Sequence, residues 1–217
     1  MTTLLAGPSA LGPSARAKAL SRPSIAVSPP EATAEWARQY VELLSEAVDN
    51  SSTESTSPED AGALLATADV DDLVRATTRM QLLTPDRAPG TVVLAPVIDG
   101  TFLPERPLDA FKYGRAARVP LIVGTNDREG SLFRGRLDIL ATTPPRIRAI
   151  FAKTRKRSRK ALKALYPGLP ARRPAADFGG DLAFWYPTVK VAERHARFAE
   201  VHFYRFDIAP RLAKLLG

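Results

Sequence analysis

Apolar positions recur at helical spacing over residues 31–48, where Ala34, Ala37, Tyr40, Val41, Leu44 and Val48 fall near one face and Pro30 precedes the first turn. The pattern predicts an amphipathic helix. A polar stretch then leads to Ser57-Pro58-Glu59-Asp60, which carries three start signals for a second helix. The serine suits the N-cap, the proline the first helical position, and the acids the positive end of the helix dipole. A third helix is expected near 70–81. From Gly90 the period shortens. Residues 91–98 are rich in β-branched side chains and run into the hairpin-type dipeptide Asp99-Gly100, which reads as a strand that Pro96 restricts to an edge or a short piece. A short helix is expected from Pro107.

The run Val119-Pro120-Leu121-Ile122-Val123-Gly124 is continuously apolar and ends in the polar loop Thr125-Asn126-Asp127-Arg128-Glu129-Gly130. That pattern suits a strand buried on both faces of a parallel sheet, with its functional groups at the carboxyl end. Residues 139–176 show a helical stripe containing Ile147, Ile150, Phe151, Leu162 and Leu165, closed by Tyr166-Pro167-Gly168. Residues 182–198 read as a helix interrupted or begun at Pro187, and 201–206 as a final strand. Near the N-terminus Gly7-Pro8-Ser9-Ala10 recurs as Gly12-Pro13-Ser14-Ala15, so residues 1–23 are expected to be an irregular, proline-rich segment and 24–217 the domain proper. A short strand is expected at 24–27, ended by Pro29 and Pro30. Strands alternating with helices give an α/β fold with a mostly parallel sheet flanked by helices.

Composition narrows the chemistry. The 217 residues include no cysteine and two histidines, which excludes disulfides, thiolate catalysis and cysteine-metal sites and leaves little for a histidine-rich metal centre. No cofactor and no metal are expected. There is no apolar run long enough for a membrane span and no secretory layout at the start, so the expected location is cytoplasmic. The net charge is +8, yet the interval 139–176 alone holds eleven Lys and Arg and no Asp or Glu. The basic excess is therefore concentrated in one helical region rather than spread over the chain.

Met1 to Ala6, Ile25 to Ser28, Pro96 to Gly100, Pro120 to Asn126 with Glu129-Gly130, and Tyr204 to Asp207 follow one another in an order that resembles the type B carboxylesterases, the cholinesterase-like serine esterases of the α/β-hydrolase fold. Met1-Thr2-Thr3-Leu4-Leu5-Ala6 is similar to the helix after the nucleophile elbow, and Ile25-Ala26-Val27-Ser28 to the strand that follows. Pro96-Val97-Ile98-Asp99-Gly100 with Phe102-Leu103-Pro104, then Pro120 to Asn126, then Glu129-Gly130 with Phe133, resemble the run into the family's acidic triad residue. Tyr166-Pro167 and Tyr204-Arg205-Phe206-Asp207 with Ala209-Pro210 extend the likeness almost to the end. The resemblance implies a Ser-Glu-His triad in which serine attacks the ester carbonyl, histidine moves the proton and glutamate orients the imidazole. Glu129 matches that glutamate, although Asp127 and Arg128 stand in an order the family does not usually show.

The other two members have no counterpart. G-x-S-x-G occurs nowhere in the sequence, and the family's histidine, in a Gly-x-x-His context some way after the Tyr-Arg-Phe-Asp strand, is not matched. His195 and His202 both precede the expected position and read as packed or solvated histidines. The expectation is thus a partial α/β-hydrolase, resembling an internal fragment, with the central nucleophile strand missing and Glu129 as its one catalytic residue, inactive alone. Its substrates, through the family, would be small-molecule carboxylic esters. Self-association through the open sheet edge is expected, nucleic acid is not an expected partner, and the alternative is a non-enzymatic polyanion-binding or adaptor module using the basic helix.

Overall fold

A computed structural model describes residues 2–10, 12, 15–20, 26–48, 57–133 and 138–208. Three strands, β1 (Ala17–Leu20), β2 (Leu121–Asn126) and β3 (Val201–Phe206), form a parallel sheet in the order β1-β2-β3. Ala17 pairs with Leu121, which pairs with Val201, and the ladder continues through Leu20, Gly124 and Tyr204. Parallel neighbours need long crossovers. The first carries α2 (Pro30–Val48), α3 (Pro58–Thr67), α4 (Val70–Arg87) and α5 (Pro107–Tyr113); the second carries α6 (Pro144–Lys153), α7 (Lys156–Leu165), α8 (Arg172–Gly180) and α9 (Tyr186–His195). A four-residue helix, α1 (Thr2–Leu5), precedes the sheet.

The helix starts follow local chemistry. Ser57 Oγ accepts from Asp60 N at 3.2 Å to cap α3, and Asp69 accepts from Val70 N at 3.1 Å to cap α4. The third helix runs past 81, through Pro85, to Arg87. Pro85 leaves one backbone carbonyl without its usual donor but does not end the helix. A single helical path joins α8 to α9 through a π-helical turn, Asp181–Trp185. That wider turn sits just before Pro187, where the regular hydrogen-bond ladder would lack a donor in any case.

Three strand expectations need correction. Ser24 and Ile25 lie outside the described residues, and Ala26 and Val27 are not in a strand; the sheet instead takes Ala17–Leu20, within the segment expected to be irregular. Ala17 N donates to Pro120 O at 2.9 Å, and the small side chains of Ala17 and Ala19 fit under α5 and α9. Residues 91–98 form no strand: Leu94 has φ 58°, and the sole ladder contact is a parallel bridge between Val97 and Ser28. Asp99 accordingly makes no hairpin, its carboxylate accepting instead from Thr101 N and Leu103 N, both at 2.9 Å. The third correction concerns β2, which is buried on one face only.

That buried face supplies the main core. Leu121, Val123, Ala17 and Ala19 pack against Ala110 and Phe111 of α5 and Val191 of α9, with Leu5 closing one side. Arg194 donates to Leu108 O at 2.5 Å and ties α9 to α5. On the opposite face Leu20, Ile122 and Phe206 remain 44, 42 and 52 % exposed, with Lys18 and His202 on either side of Ile122 and no covering layer among the described residues. A second core, under α6 and α8, joins Ile147, Ala175 and Phe178 with Phe151 and Tyr166 around them. Arg146 is buried against it and spans Asp86 Oδ1 (2.6 Å), Asp138 O (2.7 Å) and Leu140 O (3.1 Å), so this member of the basic interval is structural.

Candidate active site

Glu129 opens a 3-10 turn, Glu129–Phe133, immediately beyond the carboxyl end of β2. It is 7 % exposed. Two donors from one residue fix its carboxylate: Asn126 N reaches Oε1 at 2.7 Å and Asn126 Nδ2 reaches Oε2 at 3.3 Å. An ionised carboxylate offers about four lone-pair directions, so these bonds orient the group without exhausting its acceptor capacity. Behind it, Gly130 packs directly on Ala176 and Gly180 of α8, an approach that leaves no room for a Cβ. The carboxylate is therefore positioned from the strand end on one side and from a helix backbone on the other.

A cleft of about 380 Å³ opens beside this turn, lined among others by Asp127, Glu129, Tyr166, Arg173, Asp181 and Arg205. Tyr166 OH donates to Asp181 Oδ2 at 2.6 Å. Burial pushes the Asp181 carboxyl up, the Tyr166 hydrogen bond opposes that, and Asp177 adds to it. Burial also raises the Tyr166 phenol, with the Asp181 hydrogen bond second. Arg205 reaches Asp207 at 2.6 Å and Asp127 at 3.1 Å, linking β3 to the loop after β2. Among the described residues no group of His, Asp and Glu is arranged to hold a metal ion.

Arg128, whose position next to Glu129 departs from the usual order, turns its guanidinium to Asp177 at 2.8 Å. The inverted order thus ties the loop to α8 and leaves Glu129 bonded to Asn126. The histidines fall elsewhere. His195 is 1 % exposed beneath the sheet, with Nε2 2.8 Å from Val119 O and its ring edge-on to Phe111. Val119 precedes β2 and Glu129 follows it, so the two side chains occupy opposite ends of that strand. His202, beside Ile122 in the ladder, is exposed and lies 3.1 Å from Glu200.

A family model described as the carboxylesterase family matches residues 11–214. The chain belongs to the carboxylesterase family. Within it, the para-nitrobenzyl esterase of Bacillus subtilis is 28 % identical over 147 residues, which is 68 % of this chain and 29 % of that protein. A solved para-nitrobenzyl esterase structure superposes with a TM-score of 0.73 at 25 % identity, over 96 % of this chain and 42 % of that one. A Geobacillus stearothermophilus carboxylesterase shares the fold, with a TM-score of 0.68 at 22 % identity, over 98 and 42 % of the two chains. The carboxylesterase-family chain thus spans about two fifths of the length of the solved structures it matches. The small parallel sheet with helices around it is part of an α/β-hydrolase fold.

Sequence reasoning singled out Glu129 but missed the groups that hold it. Asn126 was visible in the family-like Gly124-Thr125-Asn126 phrase, but the two hydrogen bonds it donates to Glu129 depend on the turn between them. The pairing of Gly130 with Gly180 has no local signature, because fifty positions separate them in the chain.

Proposed function

We propose that Glu129 is the acid of a Ser-Glu-His triad in a carboxylic-ester hydrolase, and that this chain by itself carries the acid without the nucleophile or the imidazole it serves. The observation that supports the assignment is the Glu129 carboxylate itself, buried at the carboxyl end of β2, held at 2.7 and 3.3 Å by Asn126 and bordering a cleft. In such a triad the glutamate accepts the imidazole N–H, fixes the tautomer and stabilises the imidazolium formed when the serine proton is transferred. Its free acceptor directions suit that role. Small carboxylic esters, of the kind named in para-nitrobenzyl esterase, are the proposed substrate class.

Two measurements test this reading. The chain alone should hydrolyse p-nitrophenyl esters no faster than its Glu129→Ala variant and take up no organophosphonate label, because a carboxylate supplies neither acyl acceptor nor oxyanion hole. Stoichiometric labelling with turnover would overturn the second half of the proposal. The first half is tested in a chimera in which this chain replaces the matching stretch of the Bacillus subtilis para-nitrobenzyl esterase. There Glu129→Gln should lower kcat by roughly 10³–10⁴ at unchanged thermal stability, and an unchanged kcat would place the acid elsewhere.

A further inference from the structure

We infer that the outer face of α7 is a docking surface for an anionic membrane surface. This goes beyond the esterase reading and does not depend on it. Lys153, Arg155, Lys156, Arg157, Lys160 and Lys163 are all exposed, and among the described residues none of the six forms an ion pair. Several cations elsewhere are matched: Arg79 to Glu46, Arg115 to Glu105, Arg128 to Asp177 and Arg205 to Asp207. Arg159 differs from its neighbours, since it donates to Thr154 O at 2.7 Å and Ala152 O at 3.0 Å and closes the end of α6.

At the start of α7 these charges oppose the stability of their own helix, whereas Lys163 in the last turn suits the negative end of the dipole. α7 has no acid in its first turn, where Lys156, Arg157 and Arg159 face the positive end of the dipole, and it buries none of its residues. Lys156 and Lys160 are a like-charged i,i+4 pair, and Lys163 continues the same stripe one turn on. A surface selected only for solubility would mix its signs, so an uncompensated stripe on a peripheral helix is matched by a negative partner.

The shape of the stripe favours a membrane over nucleic acid. At 100° per residue Lys156, Lys160 and Lys163 fall within one narrow arc with Arg157 at its flank, a linear array suited to a flat layer of headgroups. Phe151 packs against Phe178 in the second core, and Tyr166 is held edge-on to Phe178 with its hydroxyl bonded to Asp181, so neither ring lies on the stripe to stack on bases. Leu165, 70 % exposed at the end of α7, also borders the cleft beside Glu129. At 100° per residue Leu165 lies about 180° round α7 from Lys156, so the stripe and the cleft occupy different sides of the helix and contact along the stripe leaves the cleft uncovered.

Co-sedimentation of the full chain with vesicles of phosphatidylcholine alone, and of phosphatidylcholine mixed with phosphatidylserine, tests the inference, with duplex DNA as competitor. Binding is expected to the mixed vesicles at low salt, to be lost at about 0.5 M salt, and to be absent with phosphatidylcholine alone. Replacing Lys156, Lys160 and Lys163 together by Gln should weaken it on the order of 100-fold, about fivefold per cation. Lys156→Glu should weaken binding while raising the Tm, which separates loss of contact from loss of fold. No binding, equal binding to both vesicle types, wild-type affinity in the triple variant, or a preference for duplex DNA at the same salt would each overturn it.

Discussion

Gly130 and Gly180 meet backbone to backbone. A Cβ on either would collide with the other's surroundings: with Ala176 O from Gly130, and with Gly130 N from Gly180. This contact presses the Glu129 turn onto the end of α8. Gly130→Ala and Gly180→Ala should each destabilise the chain by about 1–3 kcal/mol through overpacking. Gly62→Ala, at an exposed position in α3 where a Cβ meets nothing within 4 Å, should instead stabilise by up to about 1 kcal/mol. Urea unfolding of the three variants checks the contrast; equal effects would mean that the glycine contact is looser than described.

Asn126 should be more than a spacer. Asn126→Asp sets a second carboxylate against Glu129 and replaces a side-chain donor by an acceptor, so stability should fall by about 1–2 kcal/mol at pH 7. The deficit should shrink in a Glu129→Gln background, where no second carboxylate faces Asp at position 126. An undiminished deficit in thermal unfolding of that double variant would contradict this account of the pair.

Asp181 has the opposite sense to most acids in folded proteins. Its carboxyl is raised, chiefly by burial, so the folded chain binds its proton more tightly than the unfolded chain does. Stability from this group is full below the unfolded pKa and is lost as pH rises through the higher folded value. Asp181→Asn keeps an acceptor for Tyr166 and removes the titration. The Tm of that variant relative to wild type should therefore become more favourable between pH 4 and pH 7, and a constant difference would show that Asp181 does not titrate in this way.

The open face of the sheet should be adhesive. Leu20, Ile122 and Phe206 share it, and β1 has no strand on its outer side among the described residues. Exposed apolar side chains next to an unpaired edge promote association. Light scattering after size-exclusion chromatography should show mass rising with concentration, and Ile122→Thr, which keeps a β-branched residue in the strand, should reduce that rise. A concentration-independent monomer would rule the association out.

The sequence alone determined whatever depends on near neighbours. The helices α2, α3 and α4 follow from apolar spacing and from caps such as Ser57, because a helix draws its hydrogen bonds from residues four apart. The run ending at Gly124 announced β2, and the order of family-like phrases led to Glu129 and to the carboxylesterase family. Tertiary structure decided what depends on distant partners. Ala17–Leu20, a composition equally at home in a helix, became β1 by pairing with Leu121 to Gly124, whereas the more β-branched 91–98 found only one bridge. It also buried Arg146, sent Arg128 to Asp177 and placed His195 under Val119, away from Glu129. Those outcomes rest on contacts between residues far apart in the chain, and strand pairing, close glycine packing and buried ion pairs take their energies from such contacts rather than from local preference.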